Sequence, residues 1–125
     1  MRCHRKAKGG DRIMSEPAKS VVLFYHQGKL ARKAFAFSEL RFDALAAELT
    51  RELGEPVAGS EALKAGMGGV FENRYLIWRD DGRAWMVEQF FERITDSGFW
   101  SMSETELDAL LAERERERVR GARDL

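Results

Sequence analysis

The segment 70–91 predicts a β-hairpin whose two strands are apolar on both faces, and this feature constrains the fold more than any other. Asp81-Gly82 favours a two-residue turn, since both residue types tolerate the positive φ that such a turn requires. Side chains alternate along a strand, so one predicted face carries Leu76, Trp78, Trp85 and Val87, and the other carries Phe71, Tyr75, Ile77, Met86 and Phe90. A three-residue loop would shift the register by one residue and would still leave both faces apolar. Both sides of the sheet must therefore be covered.

The composition predicts one globular domain. The chain has 125 residues, of which 44% are hydrophobic and 34% are charged, and this length allows a single modest core. Lysine plus arginine equal aspartate plus glutamate at 21 each, so no global field favours nucleic acid or an anionic membrane. Cys3 is the only cysteine, which excludes an intrachain disulfide. No apolar run has the length of a signal peptide or a membrane span, and we expect a cytoplasmic protein without a membrane partner.

Both ends of the chain are polar. The first predicted hairpin lies between the N-terminal segment and the first helix. Residues 1–19 are basic and predict a disordered arm, within which Met14 is a plausible alternative translation start. Ser20–His26 and residues 29–37 predict two strands joined at Gln27-Gly28. We expect a single domain over residues 20–120 and a frayed tail over residues 121–125.

Two helices are predicted from their caps and apolar stripes. Ser38 is a good N-cap for a helix with Phe42, Leu45, Ala46, Leu49 and Leu53 on one side. Gly54, followed by Pro56, ends this helix. Ser103 and Glu106 form a capping box for a second helix, in which Leu107, Leu110 and Leu111 share one side. Beyond Glu113 the helix is polar all round, and we expect it to project into solvent.

The remaining segments complete an α+β fold. Residues 57–69 predict a loop with one helical turn at 61–64, and residues 94–102 favour a third strand over a turn. The predicted order is β-β-α-β-β-β-α, an antiparallel sheet of about five strands with two amphipathic helices. Two narrow helical stripes cover about one face of such a sheet. Because the second apolar face still needs a cover, we predict a homodimer through the sheet.

Candidate catalytic chemistry is sparse in this chain. Cys3-His4 could begin a metal site, but His26 is the only other histidine, so we predict no metal and no cofactor. The Gly66-Met67-Gly68-Gly69 run leads into a strand and not into a helix, which favours a flexible loop over a phosphate site. Glu88 lies opposite Tyr75 among apolar residues. A raised pKa, a hydrogen bond to the Tyr75 hydroxyl and an edge position all stay open for it. We predict no catalytic residue.

Arginines interleave with aromatic residues in the second hairpin. Arg74, Arg79 and Arg83 lie near Trp78 and Trp85, a mixture that suits stacking of unpaired bases and binding of phosphates. The RNA-recognition signature is absent, and neighbouring acidic residues dilute the positive field. The sequence argues against nucleic acid as the main partner.

Several local motifs together resemble those of a known class. Phe24-Tyr25-His26-Gln27-Gly28-Lys29-Leu30, then Phe42 and Leu45–Leu53 with Gly54-Glu55-Pro56, then Trp78 and its hairpin are similar to small bacterial α+β modules of unknown role. Some of those modules are of the SmpA/OmlA outer-membrane lipoprotein type. The resemblance covers residues 21–102 and implies a protein-binding module without catalysis. It carries over no functional residue, and this chain lacks the signal peptide and lipidated cysteine of a lipoprotein.

The sequence therefore predicts a non-enzymatic protein-interaction module that forms a homodimer and has an unknown protein partner. Its interface or ligand candidates are Tyr75, Trp78, Trp85, Glu88 and Phe90. One alternative is a small-molecule pocket, enzymatic or not, with Glu88 as its polar group. A second alternative is binding of single-stranded nucleic acid through Arg74, Arg79 and Arg83.

Overall fold

The computed structural model describes residues 2–6, 12–13, 16–64, 69–91, 93–119 and 123–124. The elements follow in the order β1 (Arg2–Lys6), β2 (Ser20–His26), β3 (Lys29–Ser38), α1 (Phe42–Leu53), β4 (Val57–Lys64), β5 (Val70–Asp80), β6 (Arg83–Glu88), β7 (Asp96–Ser103) and α2 (Glu104–Val119). A 3₁₀ turn, Glu39–Arg41, precedes α1. Two short segments, Arg12–Ile13 and Glu16–Pro17, pair only with each other.

One sheet contains all seven strands, in the order β1-β2-β3-β7-β6-β5-β4, and every neighbouring pair is antiparallel. At its edge, Arg123–Asp124 adds a two-residue parallel segment beside Leu63 and Lys64 of β4. The α+β class and the antiparallel sheet are confirmed. The expected number of about five strands is wrong, because β1 and β4 add one strand at each edge of the sheet.

Both added strands lie where the sequence predicted irregular structure. β1 pairs with β2 from Arg2 opposite Phe24 to Lys6 opposite Ser20, so this part of the predicted arm is not disordered. β4 pairs with β5 along its whole length and replaces the predicted loop and helical turn. Residues 7–11, 14 and 15, including the alternative start, lie outside the described residues. So do residues 65–68, which include all of the glycine run except Gly69. So do residues 120–122 and 125, whereas Arg123–Asp124 are paired and not frayed.

The two predicted hairpins have the predicted turns. Asp81 and Gly82 have φ values of 47° and 82°, and Gln27 and Gly28 have 51° and 77°, as tight two-residue turns require. Across the second hairpin, Trp78 lies opposite Trp85. The predicted register is confirmed, and with it the division of apolar side chains between the two faces. The predicted third strand is confirmed as β7.

Helix α1 covers one face of the sheet. Its residues Phe42, Leu45 and Leu49 are buried against a cluster that contains Val21, Phe35, Phe37, Trp78, Val87 and Phe99. The Ser38 Oγ accepts a hydrogen bond from the Leu40 N–H at 3.4 Å, so this predicted cap begins the 3₁₀ turn and α1 follows it. Gly54, with a φ of 92°, ends α1 as predicted.

Helix α2 covers the opposite face. Leu107 and Leu110 pack on a second cluster that contains Val22, Ala34, Ala36, Ile77, Ala84, Met86, Phe91, Trp100 and Met102. The Ser103 Oγ accepts the Glu106 N–H at 3.1 Å, as the capping box predicts. The expectation that both helices share one face is wrong. The chain itself covers both apolar faces, because α1 crosses one side of the sheet and α2 leaves β7 toward the other. Among the described residues, no helix is long and apolar enough to span a membrane.

Candidate functional site

A buried polar cluster lies between the sheet and α2, centred on Glu88. The Glu88 side chain is 0% exposed. Its carboxylate accepts hydrogen bonds from the Trp100 indole N–H, from Asn73 Nδ2 at 3.0 Å and from Arg114 Nη2 at 2.9 Å. Of the three environments left open for Glu88, the edge position open to water is wrong, because the side chain is fully buried. Three donors thus converge on one buried carboxylate, and one of them is the charged guanidinium of Arg114.

The cluster continues to a second carboxylate on the edge strand β4. Glu61 Oε1 lies 3.6 Å from Arg114 Nη1 and 3.3 Å from Asn73 Nδ2. Asn73 is itself oriented by its Oδ1, which accepts the Phe90 backbone N–H at 2.8 Å. The Arg114 guanidinium thus bridges two carboxylates contributed by two strands, and Asn73 contacts both of them.

The electrostatics of the cluster favour a structural role. Burial alone would lower the pKa of Arg114, but the charge and hydrogen bond of Glu88 and the charge of Glu61 outweigh burial and raise that pKa above its usual range. Every buried side-chain nitrogen and oxygen in the described part of the chain has a hydrogen-bond partner. The buried polar atoms of the cluster are therefore satisfied by one another and by the backbone.

Arg114 was not predicted as a site residue, because the helix beyond Glu113 was expected to project into solvent. Its side chain is only 10% exposed. The spacing in the sequence does indicate that Arg114 faces the sheet. Arg114 follows Leu107 by seven residues and Leu110 by four, so it continues the apolar stripe of α2. Glu88, an acidic residue in an apolar strand, required such a partner.

Most of the predicted interface residues are buried in the core: Trp78, Glu88 and Phe90. Trp78 is 4% exposed and donates its indole N–H to the Gly54 carbonyl at 2.8 Å, and Phe90 is 9% exposed. Tyr75 is half-buried and lies across from Gly59, where a Cβ would come within 2.5 Å of its ring. The covered faces of the sheet leave only Tyr75 and Trp85 of this set partly accessible.

Trp85 differs from the other two tryptophans. It is half-buried, and among the described residues its indole N–H donates to no protein acceptor. It lies in register with Ser101 of β7, which pairs with Lys33 of β3, which in turn pairs with Leu23 of β2. We call these four residues the Trp85 strip. All four are half-buried and lie on the face that α1 covers only in part.

The three predicted nucleic-acid arginines do not form one patch. Arg74 and Arg83 lie on the α1 face, and Arg79 lies on the α2 face. Arg79 pairs with Asp108 and Glu104 of α2, and Arg74 with Asp43 of α1 and with Gln89. Arg83 donates to the Ser101 hydroxyl at 2.9 Å. The three arginines are divided between two faces, and Arg74 and Arg79 have acidic partners, so they form no continuous track for a phosphate backbone.

Two clefts flank α2. The first, about 190 Å³, is lined by Ser60, Glu61, Tyr75, Leu111, Arg114, Glu115 and Arg118. The second, about 520 Å³, is lined by Arg2, Phe24, Tyr25, His26, Ala31, Arg32, Glu106, Ala109 and Glu113. Glu88 lines neither cleft, since Arg114 separates it from the first. Only the second has the size typical of ligand sites, about 300–1,000 Å³.

No metal centre is seen in the described part of the chain, where no group of three or more histidine, cysteine or acidic side chains is arranged to hold an ion. Cys3 is half-buried and unpaired with another cysteine. The side chain of His4 lies outside the described residues.

No protein-family model, no curated protein and no solved structure matches this chain. The resemblance to SmpA/OmlA-type modules therefore stays a prediction, and the function has to be argued from the site residues themselves.

Proposed function

We propose that the chain is a non-catalytic protein-interaction module whose contact surface is the Trp85 strip, and that its first partner is a second copy of the same chain. The observation that carries this proposal is the exposed indole N–H of Trp85, in a chain whose other two tryptophans are buried and hydrogen-bonded. A partly exposed tryptophan with an unused donor is typical of the anchors of protein interfaces. The proposal keeps the cytoplasmic location predicted from composition.

The chemistry of the surroundings supports self-association. Lys33 and Arg83 supply positive charge beside Trp85, and the exposed Asp80 and Asp81 supply negative charge at the adjoining turn. A twofold interface brings one surface against itself, so a surface with both signs of charge can pair with its own copy. This dimer differs from the one first expected, because it uses an uncovered part of one sheet face and not a whole face.

The experiment is a light-scattering mass of the full chain over a wide concentration range. We expect the wild type to reach twice the mass of one chain and Trp85→Lys to stay at the mass of one chain. Leu40→Lys is the matched control, since Leu40 is 87% exposed on the 3₁₀ turn and should leave the dimer intact. A wild type with the mass of one chain at every concentration would overturn the homodimer. A dimer that persists in a folded Trp85→Lys variant would overturn the contact surface.

A second candidate is binding of a small molecule, which the cleft of about 520 Å³ favours by its size. A small-molecule site with Glu88 as its polar group has less support, because three donors enclose the carboxylate. Single-stranded nucleic acid has less support again, since its three arginines are split between two faces.

A further inference from the structure

Three residues form a row across β1, β2 and β3 on the α2 face: Arg2, Phe24 and Arg32. The Arg2 guanidinium carbon lies 5.5 Å from the centroid of the Phe24 ring, within cation–π range. The same ring also stacks on Trp100, whose ring centroid is 5.3 Å away with an interplanar angle of 29°. Phe24 is therefore a rigid aromatic platform that already holds a guanidinium.

Acidic residues of α2 lie beside this platform. Arg32 donates to Glu106 at 2.8 Å and to both carboxylate oxygens of Glu113 at 3.2 and 3.3 Å. These hydrogen bonds raise the pKa of Arg32 although burial opposes them. The Arg32 side chain is 11% exposed, whereas those of Glu106 and Glu113 are 30% and 46% exposed. Both carboxylates thus neutralise Arg32 and still face the cleft.

The cleft beside Phe24 has room for a further side chain in addition to Arg2. The cleft retains about 520 Å³ with Arg2 in its wall, and Phe24, Tyr25 and His26 form the strand side of its lining. A register shift between Phe24 and Tyr25 places a β-bulge at this end of the hairpin. Bulges occur frequently beside binding sites, because they redirect the side chains next to them.

β1 is joined to the sheet by a backbone ladder at its edge. It pairs with β2 over five residues, Arg2 to Lys6. Arg2 is exposed and Cys3 is half-buried, so neither of these side chains belongs to the core. A strand with these properties can be exchanged for another extended segment at little cost to the core, as in β-strand addition to a sheet edge.

We propose that the outer edge of β2 and the adjoining cleft form an acceptor site for an extended, arginine-bearing segment of a partner protein, and that β1 occupies this site in the isolated chain. The partner's arginine would take the place of Arg2 over Phe24, and its backbone would pair with β2. Glu106 and Glu113 complement the positive charge of such a segment. The Phe24 platform lies on the face opposite the Trp85 strip, and the two surfaces meet only at the β2 edge, where Leu23 of the strip pairs with Cys3 of β1.

The experiment measures fluorescence anisotropy of a labelled peptide with the sequence of residues 2–9 and serine in place of cysteine, added to the full chain. The variant Cys3→Pro is designed to vacate the edge, because a proline at the second residue of β1 has no N–H to donate to the ladder. A tethered strand competes at an effective concentration of about millimolar, so we expect the peptide to bind Cys3→Pro at least about tenfold more tightly than the wild type. A peptide with alanine for the first arginine should bind about two- to fivefold more weakly. Phe24→Leu, which keeps an apolar side chain, should remove this difference between the two peptides.

Three results would overturn the proposal. The first is no binding to a folded Cys3→Pro variant at millimolar peptide. The second is equal binding of the arginine and alanine peptides, which would show that general positive charge suffices. The third is a wild-type dimer that Cys3→Pro converts to single chains, which would assign the edge to the β1 of a second copy. Because the homodimer test uses Trp85→Lys, the two proposals can fail independently.

Discussion

Arg114→Met is expected to destabilise the chain strongly, because it leaves the Glu88 charge buried without its cationic partner. Glu88 is 0% exposed and loses the contact to Arg114 Nη2 at 2.9 Å, while the donors of Trp100 and Asn73, which it keeps, are neutral. Removing one partner of a buried ion pair costs about 3–5 kcal/mol. We therefore expect the free energy of unfolding, measured in urea at neutral pH, to fall by about that amount.

Arg116→Met is the matched control, since Arg116 is an exposed residue of the same helix. We expect its effect to stay within about 0.5 kcal/mol. The double variant Arg114→Met with Glu88→Gln has no buried charge. We therefore expect its free energy of unfolding to decrease by less than the sum of the decreases in the two single variants. The reasoning would be refuted if Arg114→Met destabilised the chain no more than Arg116→Met does.

Three further changes test other parts of the structure. Gly98→Ala places a Cβ 2.7 Å from Phe91 side-chain atoms and should cost about 1–3 kcal/mol in urea unfolding. Gly82→Val forces a β-branched residue to a φ of 82° and should cost about 1–2 kcal/mol in the same assay. A wild-type midpoint would contradict either expectation. The hydrogen bond from Arg118 lowers the pKa of Glu115. The stability that this ion pair contributes to the folded chain is therefore present above the ordinary glutamate pKa and is lost as the pH falls through the lowered pKa. Because Glu115 is fully exposed, solvent screens this contribution, and Glu115→Gln should leave the acid unfolding curve unchanged; a clear shift would show a stronger pair.

The turns, the register of the second hairpin and the C-terminal end of α1 could be predicted because they depend on local chemistry. The two-residue turns need positive φ, and Asp81-Gly82 and Gln27-Gly28 supply residues that tolerate it. Once a turn is set, the pairing of Trp78 with Trp85 follows from the period of a strand.

Strand β4, which like β1 was not predicted, and the placement of the helices depend on contacts between distant residues. Val57–Lys64 contains small residues and the helix-prone sequence Glu-Ala-Leu-Lys, so its local preference does not favour a strand, and its pairing with β5 decides its conformation. The apolar stripe of a helix shows that it packs on a sheet, but not on which face. For this reason the sequence also missed the cluster of Glu61, Glu88 and Arg114, which joins two strands and α2.

The most direct test of the account is iodide quenching of tryptophan fluorescence in the dilute full chain and in Trp85→Phe. If α1 and α2 cover opposite faces, Trp78 and Trp100 are shielded at 4% and 3% exposure, and Trp85 supplies the quenchable emission. The account predicts that Trp85→Phe removes this quenchable fraction and that, in the wild type, the fraction decreases as the concentration rises and dimers form. Quenchable emission that persists in a folded Trp85→Phe variant would contradict it, because one covered face would then be open to solvent.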